Sequence, residues 1–231
     1  MIGRTIVEAR DLTKSYRRGP EEVRALQHAS FELRAGEVVA LLGPSGSGKT
    51  TLLNLLCGWE HPDGGEIRWR ASGTGDQARL PWRELAVVPQ GLGLLEELTV
   101  AENARLPFKL AGGDVGPDLV ARSGALLADL GLAELRDRYP HELSLGEQQR
   151  TALARAVVAA PRLLLADEPT GHQDTAWGRG VMNVIAQTAS EGAACLVATH
   201  NVEVLKQVDR VLEMRDGRLL ADAGSPPSLI V

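Results

Sequence analysis

Four places in the sequence combine residue types that could act on phosphate groups. Residues 43–50 read GPSGSGKT, a G-x-x-x-x-G-K-[ST] spacing set between the apolar run VVALL and the helix-like run TLLNLLC. Gly43, Gly46 and Gly48, with Pro44, Ser45 and Ser47 between them, let the backbone curl until several N–H groups point inward at the positive end of a helix. Lys49 then reaches the outer phosphates of a nucleotide, and the Thr50 hydroxyl suits magnesium. Residues 163–168, LLLADE, are an apolar strand ending in two carboxylates: Asp167 suits the metal, directly or through water, and Glu168 suits an attacking water as general base. His200 ends the run ACLVATH, placed to hydrogen-bond a terminal phosphate. Ser144 and Glu147 have the S-x-x-E spacing of a capping box, before a helical stripe of Leu153, Ala156, Val157 and Ala160 that Pro161 ends. With the Gly146 N–H, that is a second anion site, and one nucleotide does not need two in one chain. Taken singly, the two carboxylates also read as a solvated turn, His200 as a structural histidine and the S-x-x-E as an ordinary capped helix. The glycine loop in the same chain favours the chemical reading.

Such residues can converge only if an open sheet brings the carboxyl ends of its strands together. Up to about residue 69, short alternating segments (5–9, 31–33 and 66–69) mix with the apolar strand Val38–Leu42. That pattern predicts a small antiparallel sheet beside a buried parallel one. Strand, glycine loop and helix follow directly, and Gly58 stands at the helix C-cap. Residues 91–161 are mainly helical, interrupted by AGGDVGP. Strand and helix alternation then resumes with RLLLADE, a helix over 181–189, ACLVATH and a hairpin turning at Asp216 and Gly217. The expectation is a single α/β domain over 1–231, with a nucleotide core of 1–90 and 162–231 and an inserted helical lobe of 91–161.

At 231 residues and 44% hydrophobic composition, the chain can build a core without disulfides. Cys57 and Cys195 lie inside apolar runs, as small buried hydrophobes of a reducing compartment. A net charge of -5 gives the chain as a whole no attraction to nucleic acid or anionic lipid. Arg4, Glu8, Arg10, Asp11 and Lys14 break up the opening stretch, so no secretion signal is expected there. The apolar runs are strand-length, short of the roughly 20 residues of a membrane-spanning helix. Any service to a membrane therefore runs through a partner. Trp59, Trp69, Trp82 and Trp177, with His28, His61, His141 and His172, read as packing or surface residues.

In this order and over nearly the whole chain, the motifs resemble the nucleotide-binding subunit of ABC transporters. The resemblance implies a P-loop NTPase with a RecA-like parallel-sheet core, an antiparallel β subdomain and an inserted helical subdomain, binding ATP and Mg2+. It identifies Tyr16 as the aromatic stacked on adenine, residues 43–50 with Thr51 as the Walker A loop, and Gln90 as the Q-loop glutamine. Ser144, Gly146 and Glu147 belong to the signature, Asp167 and Glu168 to Walker B, Asp174 to the D-loop, and His200 is the switch histidine. By the same resemblance Glu168, His200, Lys49 and Gln90 are catalytic, and Thr50, Gln90 and Asp167 hold the metal. Family ATP lies between two subunits, loop facing signature, which gives the second anion site a purpose. The implied partners are a second ABC ATPase subunit, itself or a paralogue, and a transmembrane permease, with no nucleic acid. The implied place is cytoplasmic, on the inner face of the membrane.

The small ATPases of the macrolide-export, lipoprotein-release and cell-division group are similar to this chain in stretches such as LTVAENARLP. The chain departs from the family at Leu145, where the signature has glycine, in the D-loop stretch GHQD, and at Asn201, where aspartate is common. Tyr16 also reads as a local anchor in a short loop, and Gln90 as a polar strand end. A membrane partner is expected near residues 90–98, where Leu92, Leu94, Leu95 and Leu98 crowd together, although a buried lobe interface also explains these leucines. Two other readings are a soluble ABC-type ATPase of DNA repair or translation and a catalytically silent regulatory module. The first would carry a coiled-coil insert, a zinc module or a second ATPase half, none of which is visible, and Glu168 and His200 argue against the second.

Overall fold

The computed structural model describes residues 3–70, 76–77, 80–81, 83–113, 115–171 and 175–222. It opens with two long antiparallel strands, β1 (Thr5–Arg18) and β2 (Glu21–Arg34), joined by β4 (Gly64–Arg70) and β5 (Asp76–Gln77) in a four-stranded sheet of order β2-β1-β4-β5. The sequence pattern breaks these strands into short pieces because their registers shift, at Ala9/Leu12 and Leu12/Lys14 among other places. Asp11 and His28 there take left-handed φ of 53° and 57°. Each bulge adds a residue to one strand, so the alternation of inward and outward side chains loses phase. Tyr16 consequently lies on β1, opposite Val23 of β2, and not in a short loop.

The second sheet has six strands in the order β10-β9-β3-β8-β7-β6. These are β3 (Val38–Leu42), β6 (Leu85–Val88), β7 (Leu163–Asp167), β8 (Ala194–Thr199), β9 (Arg210–Arg215) and β10 (Arg218–Asp222). All neighbours are parallel except β9 and β10, which form the hairpin turning at Asp216 and Gly217. Its central strands are apolar up to their carboxyl ends, where Asp167 and Thr199 stand, because both faces are covered. Val39, Leu41, Leu163, Leu165, Leu196 and Ala198 pack toward the antiparallel sheet and α1 (Lys49–Leu56). Val38, Ala40, Leu164, Ala166, Cys195 and Val197 pack on the other side, in a core shared with the helices. Both cysteines are buried, and burial pushes the Cys195 thiol up to about 12.

Between β6 and β7 lie α2 (Val100–Leu110), α3 (Pro117–Asp129) and α4 (Leu145–Val157), and α5 (Thr175–Ser190) leads into β8. Reciprocal capping boxes start α2, from Thr99 and Glu102, and α4, from Ser144 and Glu147. The α4 stripe ends sooner than its sequence suggests: Ala160 is exposed, beyond the helix, with φ 50°. Gln149, Arg150, Thr151 and Leu153 are all buried, so α4 runs through the lobe's interior and not over its surface.

Candidate active site

The parallel registers align the strand ends. Leu42 pairs with Thr199, and Asp167 with Ala198, so Gly43, Glu168 and His200 all leave the sheet along one edge. That edge is one wall of a cleft of about 980 Å³. Pro44, Ser45, Gly46, Gly48, Lys49, Thr50 and Thr51 line it together with Gln90, Asp167, Glu168, His200 and Tyr16.

Gly43 and Ser47 sit behind the loop, buried, and explain how it is held. A Cβ on Gly43 would fall 2.3 Å from the Met214 carbonyl oxygen, so β9 lies directly against that backbone. At Gly48 the φ is 108°, and a Cβ would meet the Ala25 carbonyl oxygen at 2.4 Å; no other residue fits both demands. The Gly217 N–H donates to the Ser47 carbonyl at 2.9 Å, while the Gln27 N–H donates to the Gly217 carbonyl at 2.8 Å. The hairpin turn thus ties the glycine loop to β2.

Inside the loop, Lys49 Nζ donates to the carbonyls of Gly43 at 2.7 Å and Pro44 at 3.1 Å, and the lysine is 8% exposed. Thr50 Oγ1 donates to Asp167 Oδ2 at 2.8 Å. Burial holds the Asp167 carboxyl above its ordinary range, the Glu168 charge adds to this, and the Thr50 bond and Lys49 oppose it. A hydroxyl and a carboxylate oxygen in contact are hard donors that fit a small divalent cation. Among the described residues no cluster of three His, Cys, Asp or Glu could hold a metal by itself, so water or phosphate oxygens would complete its shell.

Glu168 has a left-handed φ of 52°, a conformation costing about 1–3 kcal/mol that persists only where surrounding contacts hold it. Its N–H donates to the Ala198 carbonyl at 2.9 Å, and its own carbonyl accepts from the Gly171 N–H at 3.0 Å. Thr199 Oγ1 donates to Oε2 at 3.1 Å, and His200 Nδ1 lies 2.7 Å from Oε1. The Tyr16 hydroxyl donates to Glu60 Oε2 at 2.5 Å, and Asn54 donates to the other oxygen of Glu60 at 2.9 Å. Burial and then the Glu60 contact raise the Tyr16 hydroxyl above its usual range.

Ser144, Gly146 and Glu147 do not line the cleft. They form the start of α4, where Ser144 accepts from the Glu147 N–H at 3.3 Å and Leu145 is 48% exposed. Asp174, His172 and Trp82 lie outside the described residues. The sequence did not single out Val23, Arg24 and Gln27 of β2, or Asp216 and Gly217, as cleft residues. Nothing local marks them, because they reach the site only through sheet pairing and the hairpin contact.

The family model described as ABC transporter matches residues 26–171. The chain belongs to the ABC transporter family. This ABC chain is 42% identical, over 96% of its length and 100% of the relative's, to the lipoprotein-releasing system ATP-binding protein LolD of Pseudomonas fluorescens. It is 37% identical, over 95% of its length but 32% of the relative's, to the macrolide export ATP-binding/permease protein MacB of Syntrophobacter fumaroxidans. The bacterial ABC transporter cassette MJ0796, solved as a dimer and also as a dimeric post-hydrolysis state bound to ADP and Pi, matches with a TM-score of 0.83 in both. Identity to it is 30% and 29%, over 94% of this chain and 97% of that one. The ABC fold found here is α/β, the P-loop NTPase type, with a parallel core sheet, an antiparallel sheet and inserted helices.

Of the leucines after Gln90, Leu92 and Leu94 pack on the lobe core, and Leu95 is 43% exposed. Next to them, an apolar groove of about 580 Å³ opens between β6 and α2, lined by Leu85, Val87, Leu106, Phe108 and Leu110, with Arg83 and Arg155 on its walls. No helix among the described residues is long and apolar enough to cross a membrane.

Proposed function

We propose that this ABC cassette binds and hydrolyses ATP with Mg2+ and drives a transmembrane permease. The observation that carries the reading is the convergence of Lys49, Thr50, Asp167, Glu168 and His200 in one cleft. Lys49 would exchange its two loop carbonyls for the outer phosphates; Thr50 and Asp167 would hold magnesium, with Gln90 of the same cleft as a further ligand. Bound there, the ion would offset phosphate charge and orient the terminal phosphoryl group. Glu168 accepts the proton of the attacking water, and His200 contacts the terminal phosphate. Tyr16 carries the base on its ring.

Residues 1–90 and 162–231 act as the nucleotide core, and 91–161 as a helical lobe that presents Ser144, Gly146 and Glu147 to ATP held by a second cassette. The dimeric MJ0796 structures support such a pair, and the separation of the signature from the cleft is what it explains. The permease docks near residues 90–98, beside the groove between β6 and α2, which holds the chain at the cytoplasmic face of the membrane. LolD and MacB support a role in lipoprotein release or export.

Purified protein tests this directly. ATP turnover that requires magnesium and disappears in Lys49→Ala is expected. A chain that binds ATP but never hydrolyses it, alone or with its permease, would instead be a silent regulatory module.

A further inference from the structure

Among the contacts that hold Glu168, one comes from the helical lobe. Gln149 of α4 donates from Nε2 to the Glu168 carbonyl oxygen at 2.5 Å. Gln149 is 5% exposed, so water does not compete for that bond. The next residue braces the same helix: the Arg150 guanidinium lies 4.3 Å from the centre of the Trp177 ring on α5. That indole also lies against the Gly131 backbone, where a Cβ would fall 1.9 Å from it. The helix that begins at the signature serine is therefore fixed against α5 beside its contact with Glu168.

The carbonyl and the carboxylate of Glu168 share one Cα. A carbonyl held from α4 restrains ψ at a residue already in a left-handed conformation, and with it the direction of the side chain relative to the helical lobe. We propose that Gln149 is a positioning residue for Glu168, through which the placement of the signature helix sets the aim of the general base. The inference rests on the reading of Glu168 as that base. It accounts for a buried amide within α4.

Gln149→Met keeps the length and volume of the side chain and removes the donor. In steady-state assays with magnesium and ATP, turnover should fall by about 10- to 100-fold, as for a catalytic group displaced by a fraction of an ångström to one ångström. Nucleotide Kd and Tm should stay near those of the parent. Gln149→Asn keeps the amide but loses the reach; it should show the same loss, and serves if the methionine variant does not fold. The decisive readout is the double variant with Glu168→Gln. Removing Gln149 should not lower its residual turnover further, because Gln149 acts through the carboxylate that is already gone. Parental turnover in both Gln149 variants overturns the proposal, as does an equal fractional loss in the Glu168→Gln background. If Glu168→Gln alone hydrolyses ATP at the parental rate, the base assignment fails first and this inference with it.

Discussion

His200 Nδ1 lies 2.7 Å from Glu168 Oε1, while Thr199 occupies the other carboxylate oxygen at 3.1 Å. Both oxygens of the proposed base are thus engaged by residues of one strand end. The histidine side chain is 69% exposed and the glutamate's 18%, so the histidine has open space to turn into and the glutamate has little. A terminal phosphate that draws His200 away would free Oε1 for water without moving Glu168.

Glu168→Gln keeps the shape of that carboxylate and cannot take a proton. Turnover should fall by roughly 10²- to 10⁴-fold, while nucleotide binding survives. The variant should accumulate as a dimer in ATP and magnesium, with itself or a partner cassette. Turnover assays and size-exclusion chromatography with light scattering check both halves; parental turnover would remove Glu168 from its role.

Tyr16→Ala should weaken ATP binding by about 1–3 kcal/mol, the contribution of one base-on-aromatic stack, and saturating ATP should restore turnover. Tyr16→Phe keeps the ring and drops the bond to Glu60, so it should retain most of the affinity. A nucleotide titration of the three proteins decides the matter. Equal affinities would make Tyr16 a structural anchor through Glu60.

Asp167 carries a carboxyl pushed up by burial. A raised folded-state value means that the folded protein binds the proton more tightly than the unfolded chain, so this group's contribution falls as pH rises from the ordinary carboxylate range through the raised one. Asp167→Asn still accepts from Thr50 but carries no charge. Without nucleotide it should melt above the parent at neutral pH, and the two melting curves should converge in acid. Magnesium-dependent ATP binding should be lost in the same variant. A lower Tm for the variant at neutral pH would mean that the charge is compensated in the folded protein.

Leu145 is the first residue of α4, where leucine carries no backbone strain, and both capping-box bonds beside it are intact. Its side chain is 48% exposed and would meet the triphosphate of a facing cassette. Leu145→Gly should leave ATP binding by the single subunit unchanged and raise turnover of the assembled complex by a modest factor. The helix penalty of about 1 kcal/mol for glycine applies to interior positions more than to this one. Equal or lower turnover with the permease in lipid would show that the leucine is accommodated.

Much of the candidate site was legible along the chain because its parts are local. The loop of residues 43–50 needs only neighbouring glycines, a strand before and a helix after; the carboxylates need only the end of an apolar strand. The α4 cap was legible for the same reason, since Ser144 and Glu147 are three residues apart and bond each other. What the sequence could not show is set by pairings that join distant segments. Bulges at Asp11 and His28 put β1 and β2 out of phase, so two fourteen-residue strands read as fragments and Tyr16 as a loop residue. Gly217, 170 residues from Ser47, closes on the phosphate loop only because β9 lies beside β3. Gln149 finds the Glu168 carbonyl only because α4 crosses the lobe's interior, and no periodicity along α4 encodes that contact. Local spacing determines which groups are available; the register of the sheets and the burial of one helix decide which of them meet, because those depend on packing that the whole chain makes together.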